Sequence, residues 1–327
     1  MTLAEAMDRG CTGNLDALRL VLAGGVIVSH AWPLALGPGT VEPLAAQTGR
    51  SLGGWAVVLF FFLSGVLITA SSLRKSSRAF WRARALRIFP GLGGAVIVTL
   101  GLAMLSGATV DWAEATTWAL RAVSLVSIEH RLTEAFANNP YPLVVNGPLW
   151  SLFYEVAAYG LCALIALLPK TLRPYCILFV LLVAGLGQFW AEYLPHRVAT
   201  SLPLFFAFAL GMVVCGLRQQ VRLSWKTGLI AIFFTPALVA PLAIVTICLG
   251  VFFLVLSAPQ IQLGADYSFG LYIYGWPVAQ SVVWLCPGLD PLSLAGLSLM
   301  ATMPFAMASW HLVERPSSFR ALKGARA

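Results

Sequence analysis

The chain has 327 residues, 59% of them apolar and 10% charged, with a mean hydropathy of +0.83. That balance lies far outside the range of soluble domains and excludes a fold that hides its apolar side chains in one water-bounded core. The net charge of +8 would suggest nucleic acid in a soluble protein, but the basic residues sit at the ends of apolar stretches, where topology explains them, so nucleic acid is not expected as a partner.

A helix needs about 20 apolar residues to cross roughly 30 Å of hydrocarbon. Such stretches follow one another here without the strict alternation of barrel strands, which predicts an all-α, polytopic bundle. The opening residues carry Glu5 and Asp8 and no short apolar segment with a cleavage site, so no removable signal peptide is expected and the first span serves as the insertion signal. Apolar windows place about ten spans near 17–36, 53–72, 88–107, 148–168, 174–191, 201–217, 227–241, 242–258, 266–284 and 292–312. With neither a second domain nor an internal repeat in the pattern, residues 1–327 read as a single membrane domain.

The first span carries two ionisable groups, Arg19 and His30. Eleven helical steps leave them about 20° apart around the axis and roughly 16 Å apart along it, so they share a face. Ionisable groups inside a span are costly and mark function by default. The bland readings are a snorkelling anchor for Arg19 and a satisfied imidazole between helices for His30. Between spans two and three, SLRKSSRAFWRARALRIFPGL sets Arg84 and Arg87 on adjacent turns of one face, a pattern that suits phosphates. A positive cluster on anionic lipid is the competing reading. Pro90, just beyond, either belongs to the helix start or kinks it.

The longest polar connection, 106–147, contains Asp111, Trp112, Glu114, Trp118, Glu129, His130 and Glu134, and a loop of that length is usually functional or disordered. Glu155 follows in the fourth span, at about the depth of His30 by helix rise. A carboxylate there needs a partner: the imidazole, or a Ser or Tyr of a neighbouring helix. From 227 to 258 the chain is too long for one crossing, and Pro236 and Pro241 offer a reversal between two short helices. Asp266, His311 and Glu314 lie near span ends, where interfacial water is close. The cysteines, Cys11, Cys162, Cys176, Cys215, Cys248 and Cys286, form no CxxC pair and fall mostly inside spans, which reads as small buried hydrophobes rather than disulfides or a metal site.

Placing both termini in the cytoplasm puts about 17 basic residues inside, among them Arg74, Lys75, Arg78, Arg82, Arg84 and Arg87, against Arg50, Arg121, Arg131 and Arg197 outside.

Six segments taken in order resemble the acyltransferase-3 family of membrane O-acyltransferases: Arg19-x10-His30, FFFLSGVLI at 60–68, RARALRIFP at 82–90, NGPLWSLFYE at 146–155, DYSFGLYIYGWPV at 266–278 and ERP at 314–316. The resemblance implies transfer of an acyl group, often acetyl, from cytoplasmic acyl-CoA to a hydroxyl of a surface or lipid-linked carbohydrate such as exopolysaccharide or lipopolysaccharide, in a bacterial inner membrane. No tightly bound cofactor is implied, and polysaccharide-assembly proteins are the implied protein partners. It implies His30 as base or acyl carrier, with Glu155 orienting or charging it, Arg84 and Arg87 on the phosphates of CoA, and Arg19 guiding CoA or polarising the acyl carbonyl. Ser64, Asn146, Trp150, Ser151 and Tyr272 would line the substrate path. Many members carry a histidine in the ninth-span motif where this chain reads Tyr274-Gly275-Trp276-Pro277, so no second histidine can act there. No appended periplasmic domain is expected, which would leave acylation to occur at the membrane. A transporter or flippase of a glycolipid or acyl substrate is the alternative, since polar groups inside a bundle also mark transport paths. A polymer-assembly subunit without chemistry is a third reading.

Overall fold

The computed structural model describes residues 1–8, 12–74, 76–107, 111–125 and 131–317. Cys11, Lys75, Glu129 and His130 lie outside the described residues. The described chain is helical, with no β-strand beyond isolated bridges. Its helices are α1 (Leu3–Asp8), α2 (Thr12–Leu36), α3 (Pro43–Thr48), α4 (Leu52–Ser72), α5 (Ser77–Leu105), α6 (Trp112–Ser124), α7 (Trp150–Leu167), α8 (Arg173–Gly187), α9 (His196–Gly216), α10 (Trp225–Phe234), α11 (Ala240–Ser257), α12 (Ser268–Leu285) and α13 (Pro291–Ser309). A 3-10 stretch, Gln188–Tyr193, extends α8, and a π turn, Trp310–Glu314, extends α13.

Each of the ten predicted spans contains a helix, and eight helices among the described residues are long and apolar enough to cross a membrane. The two outside that set differ in kind. Helix α10 has 10 residues, about 15 Å at helical rise and half the hydrocarbon thickness. It ends in a 3-10 turn at Thr235–Ala237, and α11 restarts with Pro241 in its first turn, so the expected reversal forms at the prolines. Helix α12 has the length but is diluted by Tyr272, Tyr274, Trp276 and Gln280. It is buried without interruption from Gly270 to Gln280, and a helix enclosed by protein need not be apolar enough for lipid.

Two compact units emerge. The first comprises 1–19, 57–77 and 154–264, the second 20–56, 78–153 and 265–327. Within the first, α4 and α9 touch backbone to backbone: a Cβ on Gly65 would collide with the Phe208 carbonyl, and one on Gly211 with the Phe62 carbonyl. Small residues permit that approach where no hydrophobic drive between helices exists in lipid. Within the second, a Cβ on Gly270 of α12 would lie 2.7 Å from Ala306 Cα of α13.

The sequence differs from the structure at two places in the second unit. Helix α5 starts at Ser77, eleven residues before the predicted span, and runs unbroken through Pro90, so Arg84 and Arg87 lie on adjacent turns well inside the helix. The 106–147 connection is folded. Asp111 caps α6 through its Oδ1, which accepts from Ala113 N at 2.9 Å, and α6 buries Trp118 at 2% exposure. Glu114 Oε1 then accepts from both N and Oγ1 of Thr133, each at 2.9 Å. The stretch beyond Arg131 closes on itself through Leu132 N to Leu143 O and Leu143 N to Ala135 O, both 3.0 Å. Three non-glycine residues there have positive φ: Glu134 at 63°, Phe136 at 51° and Leu143 at 68°. Such backbone persists only where surrounding contacts over-determine it, and Phe136 is fully buried.

Candidate functional site

His30 lies in the later half of α2 and is half-buried. Helix α12 lacks a side chain at Gly275, where a Cβ would meet Ile27 Cγ1 of α2 at 2.7 Å. That close approach brings the next residue, Trp276, to the turn after Ile27, which is the turn of His30. The rings meet edge to face, with centroids 4.9 Å apart and planes at 75°. The indole is itself fixed on its other sides. Its Nε1 donates to Val144 O at 2.9 Å, Tyr141 meets it edge-on at 5.5 Å, and Gly147 leaves room for it, since a Cβ there would stand 3.2 Å from the ring. The segment before α7 therefore holds Trp276, and Trp276 bounds the imidazole.

A polar lattice ties the same segment to α12. Asn139 Nδ2 donates to the backbone O of Gln280 at 2.9 Å and to its Oε1 at 2.7 Å. Gln280 Nε2 donates in turn to Tyr141 O at 2.7 Å and Val144 O at 2.9 Å. Asn146 Nδ2 donates to Thr99 Oγ1 at 3.3 Å and to Ile273 O at 3.0 Å. The last bond has a local cause. Pro277 has no amide hydrogen, so the carbonyl four residues earlier, Ile273 O, loses its helical donor, and the Asn146 amide supplies one. The asparagine of the NGPLW motif thus repairs the helix interrupted by the proline of the GWP motif. Tyr272 Oη lies 2.6 Å from Ser151 Oγ and 3.1 Å from Pro148 O. With one proton on each hydroxyl, Ser151 donates to Tyr272 when Tyr272 donates to Pro148.

A second cluster forms at the N-terminal start of α12, about 12 Å from Trp276 by helix rise. Arg87 Nη2 contacts Asp266 Oδ2 at 2.6 Å and Nη1 contacts Glu314 Oε2 at 3.5 Å. The guanidinium also lies 5.7 Å over the Phe269 ring. Glu314, 1% exposed, accepts from Ser309 Oγ at 2.8 Å, and Asp266 Oδ1 accepts from Ser268 Oγ at 2.5 Å. Arg84, one turn before Arg87, is half-buried. Three motifs that the sequence reads separately, RARALRIFP, DYSFG and ERP, meet here, and the two residues read as interfacial carboxylates are the partners of Arg87. Next to them, Tyr267 Oη stands 3.2 Å from His311 Nε2.

The remaining expected site residues belong to the first unit or lie outside these clusters. Arg19 Nη1 pairs with Asp16 Oδ1 at 2.9 Å on its own helix. Glu155 accepts from Tyr159 Oη, one turn along α7, so its partner within its unit is a tyrosine. Ser64 is half-buried on α4, and Trp150 opens α7 in the second unit. Sequence reading passed over Asn139, Tyr141, Trp276 and Gln280. The signal for Gln280 is an uncharged amide amid the apolar residues of a predicted span.

A family model described as an acyltransferase domain matches residues 12–311. An O-acetyl transferase of Shigella phage Sf6 is 28% identical, over 92% of this chain and 94% of its own length. Nodulation protein 10 of Rhizobium leguminosarum bv. viciae is 27% identical over 94% of each chain. No solved structure gives a significant match.

Proposed function

The chain belongs to the acyltransferase-3 family, and from that premise we propose that it moves an acetyl group from cytoplasmic acyl-CoA to a hydroxyl of a surface or lipid-linked carbohydrate. The choice of acetyl draws support from the relative whose name specifies O-acetyl transfer. The observation that carries the reading is the imidazole of His30 held edge-on by a buried, hydrogen-bonded indole. A sugar hydroxyl is a weak nucleophile near neutral pH, so its attack on a thioester needs a base at the moment the bond forms. In the proposed reaction the neutral imidazole takes the hydroxyl proton as the oxygen attacks the acyl carbonyl. The C–S bond then breaks, the CoA thiolate leaves, and the imidazolium returns the proton to it. The resemblance adds roles for Glu155, favouring the imidazolium, and for Arg19, on the CoA side.

The clusters, about 12 Å apart along α12, support a division of labour: the acceptor at the His30 level, the donor's phosphates at the basic start of α5. Arg84 is the primary phosphate contact in this scheme. Arg87, engaged by two carboxylates, sets the position of that helix and bears on the phosphates only by rearranging. Ser151 and Tyr272 form the wall of the acceptor path, Trp150 stands beside Ser151 at the start of α7, the resemblance adds Ser64, and Asn146 acts through the backbone it repairs. The protein resides in the bacterial inner membrane, with about ten crossings and both ends cytoplasmic.

Membranes containing His30→Ala protein, confirmed as monodisperse by fluorescence-detected size exclusion, should yield surface glycans without the added acetyl mass. If acetylation persists at the wild-type level, the base assignment is wrong, and transport without chemistry becomes the better account.

A further inference from the structure

The first unit contains a cavity of about 350 Å³ that takes no part in the chemistry proposed above. That volume lies near the lower end for ligand pockets. Its lining is mostly apolar, with Val66 and Ala70 of α4 and Phe252 and Leu256 of α11 among it, and the charged residues in it are Asp8 of α1 and two arginines, Arg74 and Arg218. The arginines are placed alike. Helices α4 and α9, both long and apolar enough to cross a membrane, end at Ser72 and Gly216, and each guanidinium belongs to the second residue beyond. Arg74 Nε donates to Ala70 O at 2.9 Å, and Arg218 Nη1 donates to Cys215 O at 3.5 Å. Both side chains therefore cap helix C-termini, whose partial negative charge would otherwise repel an anion. Among the described residues the hydrogen bond of Arg74 uses Nε alone, which leaves its terminal nitrogens for a further acceptor.

Helix α1 closes this side through the backbone. Leu3 N donates to Val221 O and Ala4 N to Arg218 O, both at 2.9 Å, and Leu223 N donates to Met1 O at 3.0 Å. The cavity is thus basic at the level where a spanning helix leaves hydrocarbon and apolar for about 12 Å toward its middle, the rise from Arg74 to Val66. Two arginines and one aspartate balance a single phosphodiester monoanion. Coenzyme A, with a pyrophosphate and a third phosphate, carries more charge than this lining can match.

We propose that this cavity binds one anionic glycerophospholipid, its phosphodiester on Arg74 and Arg218 and part of an acyl chain along Ala70, Val66 and Phe252. The bound lipid bridges the ends of α4 and α9 beneath α1.

The test uses the full chain, delipidated in detergent and titrated with dioleoylphosphatidylglycerol, dioleoylphosphatidylcholine or coenzyme A. Native mass spectrometry counts bound lipid, and Tm reports stabilisation. Phosphatidylglycerol should bind at one per chain and raise Tm, whereas phosphatidylcholine should bind at least tenfold more weakly. Arg74→Gln and Arg218→Gln should each weaken phosphatidylglycerol about tenfold, the value of one charge-assisted contact. Ala70→Phe, which fills the apolar part of the cavity and leaves both charges, should abolish the lipid-dependent rise in Tm. Since Tm without lipid reports folding separately, a misfolded variant is recognised and replaced by Arg74→Lys/Arg218→Lys, which should retain binding. Unchanged affinity in the double glutamine variant, or no shift of wild-type Tm, overturns the proposal. Displacement of the lipid by coenzyme A overturns it too, assigning the cavity to the donor; loss of acetylation in His30→Ala bears on neither result.

Discussion

Removal of the Asn146 amide should expose a defect that lies in another part of the chain. Asn146→Ala deletes the donor to Ile273 O and the bond to Thr99 Oγ1. The carbonyl left behind is buried and has no helical donor, because Pro277 stands four residues on. An orphaned buried group costs about 1–3 kcal/mol, and the lost bond to threonine about 1 kcal/mol more, so a total near 2–4 kcal/mol is expected. Pro277→Ala restores the missing amide and with it the bond to Ile273 O. In that background Asn146→Ala should lose only the threonine bond and its packing, which occur in both backgrounds and cancel in a double-mutant cycle. The coupling should therefore be about 1–3 kcal/mol, read from reversible unfolding in mixed micelles titrated with SDS. Independent sites add to within about 0.5 kcal/mol, and a coupling that small would refute the repair of α12 by Asn146.

Three further outcomes follow from the clusters. Trp276→Ala should lower kcat and shift the acid limb of the pH–rate profile while leaving KM for acyl-CoA within about twofold, whereas Trp276→Phe, keeping an aromatic edge, should recover most of the rate; identical profiles for both would remove Trp276 from the positioning of His30. Arg87→Ala strands Asp266 and the 1%-exposed Glu314, and should cost about 3 kcal/mol, the low end for a broken buried pair because the arginine side chain is 26% exposed; Arg87→Ala/Glu314→Gln should recover part of that in the same SDS titration. At the N-cap of α13, hydrogen bonds from Ser293 hold the Asp290 carboxyl below its ordinary value. The stabilisation is thus present above the ordinary carboxylate range and lost as pH falls through the lowered folded value, so the gap in Tm between wild type and Asp290→Ala should close on acidification.

The helices were legible because lipid imposes a length and an apolarity that ten windows reveal directly. The reversal near Pro236 and Pro241 was legible for the local reason that proline lacks a donor. What stayed hidden was long in sequence separation. Nothing near Asn146 announces that its amide serves a carbonyl on α12, and nothing near Asp266 announces Arg87. Trp276 drew no role from the motif in which it stands, and only the contact at Gly275 and Ile27 turns it into a neighbour of His30. The 106–147 connection looked like a polar loop because its buried residues, Trp118, Phe136 and Asn146, follow no single period and are folded by contacts rather than by pattern. Arg19 and Glu155, singled out by residue type and resemblance, pair within the first unit with Asp16 and Tyr159, contacts three and four residues away on their own helices.

Helix α12 also bears on how the protein is made. A segment carrying two tyrosines, a tryptophan, a proline and a glutamine between Tyr272 and Gln280 partitions poorly into lipid by itself. Asn139 and Asn146 in the segment before α7, which bond to it, and Ile27 and His30 of α2, which pack on it, are synthesised before it emerges from the ribosome. Synthesis from the N-terminus therefore presents α12 with a prepared hydrogen-bonding cradle, so the order of the helices along the chain serves as an order of assembly. A permuted chain that emitted α12 first would have to leave that helix waiting outside the hydrocarbon.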